Sequence, residues 1–260
     1  WAIGDFGTGD QGQLDVRDAF LRHKGQRHTD AFLLLGDNAY GDGTDDEYQN
    51  NYFMPYADIL RNTVAWQSPG NHDYNSVPLL SQNGPYYEHF TFPENGEAGG
   101  LASNTKLFFS FDYGPIHFVS LNSETIEQFL IASGPMPTWL DRDLEANDRP
   151  WVVVYFHQPP YTKGSHDSDD PFQLSNMARM RSVINPILEE HGVDLVLAGH
   201  SHVYERSYFM SGHYGNSGGW NPNEHIVQTG TGNPNTDGPY TKAEPRAPGT
   251  IYTVVGCGGR

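Results

Sequence analysis

One cysteine, Cys257, is all the chain carries, so no disulfide can close within it and the redox compartment stays open. Basic residues are scarce: 15 Lys and Arg stand against 32 Asp and Glu, a formal charge of -17. No nucleic-acid partner is expected, because neutralising phosphates with counterion release requires basic clusters. No apolar run approaches the roughly 18 residues of a membrane helix, so no membrane insertion is expected either. The acidity itself reads as a means to solubility. What the chain does have is 29 glycines and 13% aromatics across 260 residues. That composition belongs to a loop-rich globular protein able to bury a sizeable core, as one large domain or two small ones.

The apolar runs are short and alternate with helical patterns. Trp1 to Phe6, Ala31 to Leu35, Val64 to Gln67, Trp151 to Phe156 and Asp194 to Ala198 read as strands. Lys106 to Tyr113 and Ile116 to Leu121 flank Gly114-Pro115 as a β-hairpin, and His225 to Thr229 and Ile251 to Val255 are extended pieces of the tail. Helices are expected from an Asp10 cap to about Lys24, with Leu14 and Leu21 inward, and from Asp45 or Asp46 to about Arg61. Further helices are expected over Thr125 to Ile131, Thr138 to Asn147 and Gln173 to His191, the last kinked or split by Pro186. Asn75 to Ser103, rich in Pro, Gly, Asn and aromatics, reads as a long surface excursion.

The chemistry gathers where strands end. Asp5 lies where the first ends, Asp37 and Tyr40 follow the second, and Asn71, His72 and Asp73 follow the third. His157 closes the strand beginning at Trp151, and Gly199-His200-Ser201-His202 closes the one beginning at Asp194. Open α/β sheets place ligands in the crevice outside such ends. Two imidazoles alone fit polar loop residues as well as a metal, and Asp5 and Asp37 could each simply cap a loop. Together, though, Asp5, Asp37, Tyr40, Asn71, His157, His200 and His202 divide into hard anionic oxygens, suited to a trivalent ion, and imidazole or amide donors, suited to Zn, Mn or Fe(II). A carboxylate shared by both ions would make a dinuclear centre.

Asp5-x-Gly7, Gly36-Asp37-x-x-Tyr40, Gly70-Asn71-His72-Asp73, Val154-x-x-His157 and Gly199-His200-x-His202 resemble, in order, the five motifs of the purple acid phosphatases within the calcineurin-like metallophosphoesterases. The resemblance runs from Asp5 to Arg206, with Ser110-Phe111-Asp112-Tyr113-Gly114-Pro115 and Tyr204-Glu205-Arg206 also similar to family members. Tyr40 discriminates: the wider superfamily usually has a histidine two residues after the first Asp and lacks this tyrosine, and here Gly7 and Tyr40 fill those places.

The resemblance implies an α/β fold, a four-layer α/β/β/α sandwich of two mixed sheets flanked by helices, and one catalytic domain over 1–260. Two departures accompany it. No N-terminal β-domain of the large plant kind precedes the motifs, and the chain stops at Gly256-Cys257-Gly258-Gly259-Arg260, just after a strand, where more β structure is expected. A C-terminally truncated domain with an exposed edge strand is therefore expected. The chain also opens on Trp1 without a methionine, as after removal of a leader, and the family implies export, secreted or periplasmic.

For the site, the resemblance implies Fe(III) on Asp5, Tyr40 and His202, a divalent Fe, Zn or Mn on Asn71, His157 and His200, and Asp37 bridging. It implies a phosphomonoesterase, an acid phosphatase, in which a metal-bound hydroxide attacks phosphorus in a small-molecule phosphate ester. His72 would orient the phosphate and His166 would protonate the leaving group. Asp73 and Asp194 are expected around the ligands, while His89, His117, His191, His213 and His225 are expected to be surface or structural. Two alternatives stay open: a phosphodiesterase acting on nucleotides or phospholipid headgroups, and a metal- or phosphate-binding module without turnover.

Overall fold

The computed structural model describes residues 1–78, 81–124, 131–170, 174–233 and 235–260. In chain order it runs β1 (Ala2–Ile3), α1 (Gln11–Lys24), β2 (Ala31–Leu35), α2 (Asp45–Glu47), α3 (Met54–Leu60), β3 (Val64–Ser68), α4 (Pro85–His89), β4 (Phe109–Tyr113) and β5 (Ile116–Ser120). It continues with α5 (Pro135–Ala146), β6 (Trp151–Phe156), α6 (Leu174–Arg179), α7 (Asn185–Glu190), β7 (Leu195–Ala198), β8 (Tyr204–Arg206), β9 (Phe209–Met210), α8 (Pro222–His225), β10 (Ile226–Gln228) and β11 (Ile251–Val255). A three-stranded parallel sheet, β1-β2-β3, faces a six-stranded mixed sheet ordered β4-β5-β6-β7-β11-β8. In the larger sheet β5, β6, β7 and β11 are parallel and the two outer strands antiparallel.

The two sheets meet through stacked rings and hydroxyls. Trp66 of β3 lies 3.7 Å from Phe111 of β4, and the Ser120 hydroxyl donates to the Gln67 carbonyl at 2.8 Å. On the outer face of the small sheet, Trp1 stacks between Phe20 of α1 at 3.9 Å and Phe32 of β2 at 4.6 Å. α5 and α7 cover the large sheet, where Leu140, Leu144, Ile184 and Leu188 are buried. Two sheets inside and helices outside make the expected metallophosphoesterase sandwich.

Local sequence explains most element ends. Asp10 caps α1, its carboxylate accepting from the Gln13 N–H at 3.1 Å. The inner face of α1 is Gln13, Val16, Phe20 and Leu21 rather than Leu14 and Leu21, because the helix packs under Trp1 and along Asn51. The second helical stretch begins at Asp45 as expected, and Thr44 just before it supplies the cap through a capping box with Glu47. A π-helical segment, Tyr48–Phe53, joins α2 to α3, and another, Met180–Ile184, joins α6 to α7. Each wide turn precedes a proline, Pro55 or Pro186, and relieves the clash of its ring with the carbonyl behind it. Pro186 thus splits its helix as expected.

Two expectations change, and a third lies beyond the described residues. The 75–103 segment is not only a surface excursion: it carries α4 and buries Tyr86, Tyr87 and Phe92 against Tyr74. Its aromatics read as loop content in sequence because no period arranges them. The last strand is no exposed edge, since β11 lies between β7 and β8 with hydrogen bonds on both sides. Thr125 to Ile131, expected to be helical, falls outside the described residues except for Ile131. No described helix is long and apolar enough to cross a membrane.

Candidate metal centre

Both sheets turn the C-terminal ends of parallel strands toward one crevice. β1, β2 and β3 deliver Asp5, Asp37 with Tyr40, and Asn71 with His72; β6 and β7 deliver His157 and His200 with His202. Asp5, Asp37 and His200 sit at φ of 57°, 53° and 66°, so among the described residues three of the six non-glycine residues in the left-handed region belong to this crevice. Such backbone costs energy and persists where the surroundings over-determine it, as ligand sites do.

The Asp5 carboxylate is fully buried. It accepts from the Tyr40 hydroxyl at 3.1 Å and the His200 N–H at 2.7 Å, with His202 Nε2 3.5 Å away. Asp37, 2% exposed, accepts from the His72 N–H at 2.9 Å and lies 3.5 Å from His157 Nε2. Gly70 makes room for it: a Cβ there would stand 2.2 Å from Asp37 Oδ1. Burial is the main reason the Asp5 carboxyl is pushed up, aided by Asp37 and opposed by His157 and His202. Burial likewise drives the Tyr40 phenol far up, with Asp5 and Asp37 adding to it.

His157 donates through Nδ1 to the Leu35 carbonyl at 2.9 Å, which aims Nε2 into the crevice. There Nε2 stands 3.2 Å from Asn71 Oδ1 and 3.2 Å from His200 Nδ1, and His200 Nδ1 is 3.1 Å from the same amide oxygen. Burial works against a charge on His157, but Asp37, Asp5 and Glu124 outweigh it and hold its pKa at about 9. Burial and the facing rings of His157, His166, His202 and His72 push His200 down to about 2.

These donors fit cations. Three atoms able to offer lone pairs crowd within 3.2 Å of one another, an arrangement that repels unless a proton or metal lies among them. One ligand atom each from Asp5, Asp37 and His157 lies within 4.8 Å of the others. Carboxylates and phenol oxygen collect on the Asp5 side, imidazoles and amide oxygen on the Asn71 side, with Asp37 between: the division that a harder and a softer ion would ask for.

His72 and His166 flank the crevice. His72 donates from Nδ1 to the Gly41 carbonyl at 2.7 Å and packs its ring 4.4 Å from that of Tyr40. The His166 ring stacks on His200 at 4.0 Å and stands 6.0 Å from His202. Ser165 and Ser201 pin this loop, accepting from the His202 and His166 N–H groups at 2.9 and 3.4 Å. Asp73 is buried behind the candidate ligands, accepting from the Gly70 N–H at 2.7 Å and the Asn38 amide at 3.0 Å, and so ties the 36–40 and 70–73 loops together. Burial, then Asp37, pushes its carboxyl up to about 7.

Asp194 does not belong here. It lies at the opposite end of β7, accepting from the Val152 N–H at 2.8 Å and pairing with Lys242 at 2.9 Å. A strand has two ends, and position beside the His pair in sequence did not say which one Asp194 occupies. Sequence reasoning missed Glu124, which is buried near His157, held by Gln158 at 3.3 Å and pushed by burial up to about 7. No periodicity or motif marks it.

Comparison with known proteins agrees with this geometry. The calcineurin-like phosphoesterase family model matches residues 1–204. Among curated relatives, purple acid phosphatase 21 of Arabidopsis thaliana is 33% identical over 205 residues, 76% of this chain and 44% of its own length. A phosphoenolpyruvate phosphatase of Allium cepa is 28% identical over 220 residues, 80% of this chain and 42% of its own. The chain thus spans under half the length of these relatives. The structure of purple acid phosphatase PPD1 from yellow lupin seeds superposes with a TM-score of 0.61 at 18% identity, covering 99% of this chain and 43% of that one, and shows the shared fold.

Proposed function

The chain belongs to the calcineurin-like phosphoesterase family, and from that premise we propose that it is a phosphomonoesterase of the purple acid phosphatase kind. The observation carrying the reading is the convergence of two buried carboxylates, a tyrosine, an amide and three imidazoles from five strand ends. The curated relatives, named purple acid phosphatase and phosphoenolpyruvate phosphatase, support it. Asp5, Tyr40 and His202 would hold a ferric ion, Asn71, His157 and His200 a divalent Fe, Zn or Mn, and Asp37 both. Bound there, the pair supplies an activated water and positive charge for phosphoryl oxygens, which outweighs an acidic surface screened over roughly 10 Å.

The chain's own groups do the rest. His72 spends its Nδ1–H on the Gly41 carbonyl, so Nε2 is the nitrogen that faces a phosphoryl oxygen, and in the imidazolium form it donates to that oxygen and orients it. His166 holds the proton given to the leaving-group oxygen. Burial, then His202, keeps its pKa below the usual imidazole range. The protonated form therefore prevails only on the acid side, and catalysis that depends on it falls as pH rises. Asp73 fixes the Asp37 and Asn71 loops, a positioning role.

Matched assays of a phosphate monoester and a diester at acid pH test the reading. We expect the monoester to react much faster. A faster diester would make the chain a diesterase, and no turnover by metal-loaded protein would make it a binding module.

A further inference from the structure

β8 begins two residues after His202, and its middle residue, Glu205, is bonded to the loop that carries His166. The Glu205 carboxylate accepts from the Thr162 hydroxyl at 2.6 Å and from the Lys163 N–H at 3.1 Å. A hydroxyl that close to a carboxylate makes a strong, charge-assisted bond, and Thr162 is buried. From Thr162 the loop closes on itself. The Ser168 N–H donates to the Thr162 carbonyl at 3.1 Å, and the Thr162 N–H donates to the Ser168 hydroxyl oxygen at 3.1 Å. Inside that ring Lys163 pairs with Asp167 at 2.6 Å and with Asp169 at 3.1 Å. His166 lies within this braced tip, so whatever holds Thr162 also holds the imidazole.

The tip is fastened to the turn that carries His200 and His202. Besides Glu205, the Ser201 hydroxyl oxygen accepts from the His166 N–H at 3.4 Å, and that of Ser165 from the His202 N–H at 2.9 Å. Gly164 permits the approach, since a Cβ there would stand 2.5 Å from both Ser201 Oγ and a Val203 methyl carbon. Of these fasteners the bond from Thr162 to Glu205 is the shortest, and it ends on a carboxylate. The outcome is the His166 ring stacked on His200 at 4.0 Å. The base of the loop has a separate hold: Arg181 donates to the Pro160 carbonyl at 3.0 Å and the Ser168 carbonyl at 3.1 Å. Losing Glu205 would therefore free the tip from β8 while the base stays fixed.

We propose that Glu205 is a positioning residue for leaving-group protonation: it ties the 162–168 loop to the His200–His202 turn and so sets His166 where it delivers its proton. The proposal rests on the phosphoesterase reading, with His166 as the acid. A misplacement of about 1 Å costs about a hundredfold in rate. In metal-loaded protein, E205A should therefore lower kcat on ethyl phosphate by about ten- to a hundredfold. Nitrophenyl phosphate, whose leaving group needs no proton, should lose far less, and metal content should match the wild type. E205Q keeps one oxygen for the Thr162 hydroxyl and should recover part of the loss. T162V removes the donor from the loop side and should reproduce the split between the two esters. The double variant H166A/E205A separates positioning from general weakening: once the acid is gone, losing Glu205 should cost ethyl phosphate nothing more. Equal losses on both esters, losses that add in the double variant, or loss of metal in E205A would overturn the assignment. A wild type that hydrolyses neither ester refutes the phosphoesterase reading, and the assignment with it. A wild type that hydrolyses both, with the ester ratio unchanged in E205A and T162V, refutes the role of Glu205 alone.

Discussion

His117 and His157 each lie between aspartates, on the adjacent strand β5 and just past β6, at opposite ends of the same sheet. Both are buried, at 1% and 0% exposure, so burial does not distinguish them. Hydrogen bonding does. His117 gives Nδ1 to Asp112 at 2.8 Å and Nε2 to Asp143 at 2.9 Å. Asp143 also accepts from the Ser110 hydroxyl at 2.8 Å and the Leu101 N–H at 2.6 Å, and Asp112 from Arg149 at 3.1 Å. That cluster is closed: both ring nitrogens donate, and the carboxylates are taken up holding the 100–101 loop to the sheet. His157 spends one nitrogen on a carbonyl and turns the other toward an amide oxygen, a second imidazole and a carboxylate. Left-handed backbone marks Asp5, Asp37 and His200, and none of Asp112, His117 and Asp143. A histidine among carboxylates is therefore a fastener when its neighbours complete one another, and a candidate ligand when their lone pairs converge.

Substitutions at the two clusters should separate these cases, and the largest effect is expected at Asp37. Asp37→Asn removes the carboxylate placed between both donor groups, so metal content and hydrolysis should fall together, activity by at least about a thousandfold if the ions carry the reaction as they do in two-metal sites. Retention of metal with near-normal turnover would reject the bridging role. Next comes His166→Ala, where general-acid help is worth about 10²–10⁴-fold. Alkyl phosphates, whose leaving alkoxide needs a proton, should lose that much, and nitrophenyl phosphate far less, with metal content unchanged. Equal losses on both would assign His166 to phosphate binding.

The smallest effect belongs to the closed cluster. His117→Gln should leave metal content and turnover intact but cost about 1–3 kcal/mol of stability, by leaving buried carboxylate bonding incomplete. Burial alone would lower the pKa of His117, but Asp143 and Asp112 outweigh it and raise the pKa above its ordinary value. A raised folded pKa gives stability that is fully present below the unfolded value near 6.5 and is lost as pH rises through the folded one. The urea midpoint difference between wild type and variant should thus be larger at pH 6 than at pH 9. A difference that grew with pH would show that His117 is not held as the cation.

The open cluster was far more legible in sequence than the closed one. Each candidate ligand stands close to the end of an apolar run, so strand periodicity fixed its place in the fold, and five such junctions in family order left little freedom. Asp112, His117 and Asp143 come from β4, β5 and α5 with no motif, and only the pairing register, Asp112 opposite His117, brings two of them together. Asp194 shows the opposite error, proximity in sequence to the His pair taken for proximity in space. The aromatics of α4 were hidden because their burial depends on Tyr74 and the hairpin rather than on any local pattern.

The most direct test of the central claim, that lone pairs converging around Asp37 form a dinuclear centre with Tyr40 on a ferric ion, is elemental analysis beside a visible spectrum of oxidised protein. The account predicts two metal ions per chain and a phenolate-to-iron absorption band that vanishes in Tyr40→Phe. Protein loaded with iron and zinc that holds less than one ion per chain, or a band that persists in Tyr40→Phe, would contradict it.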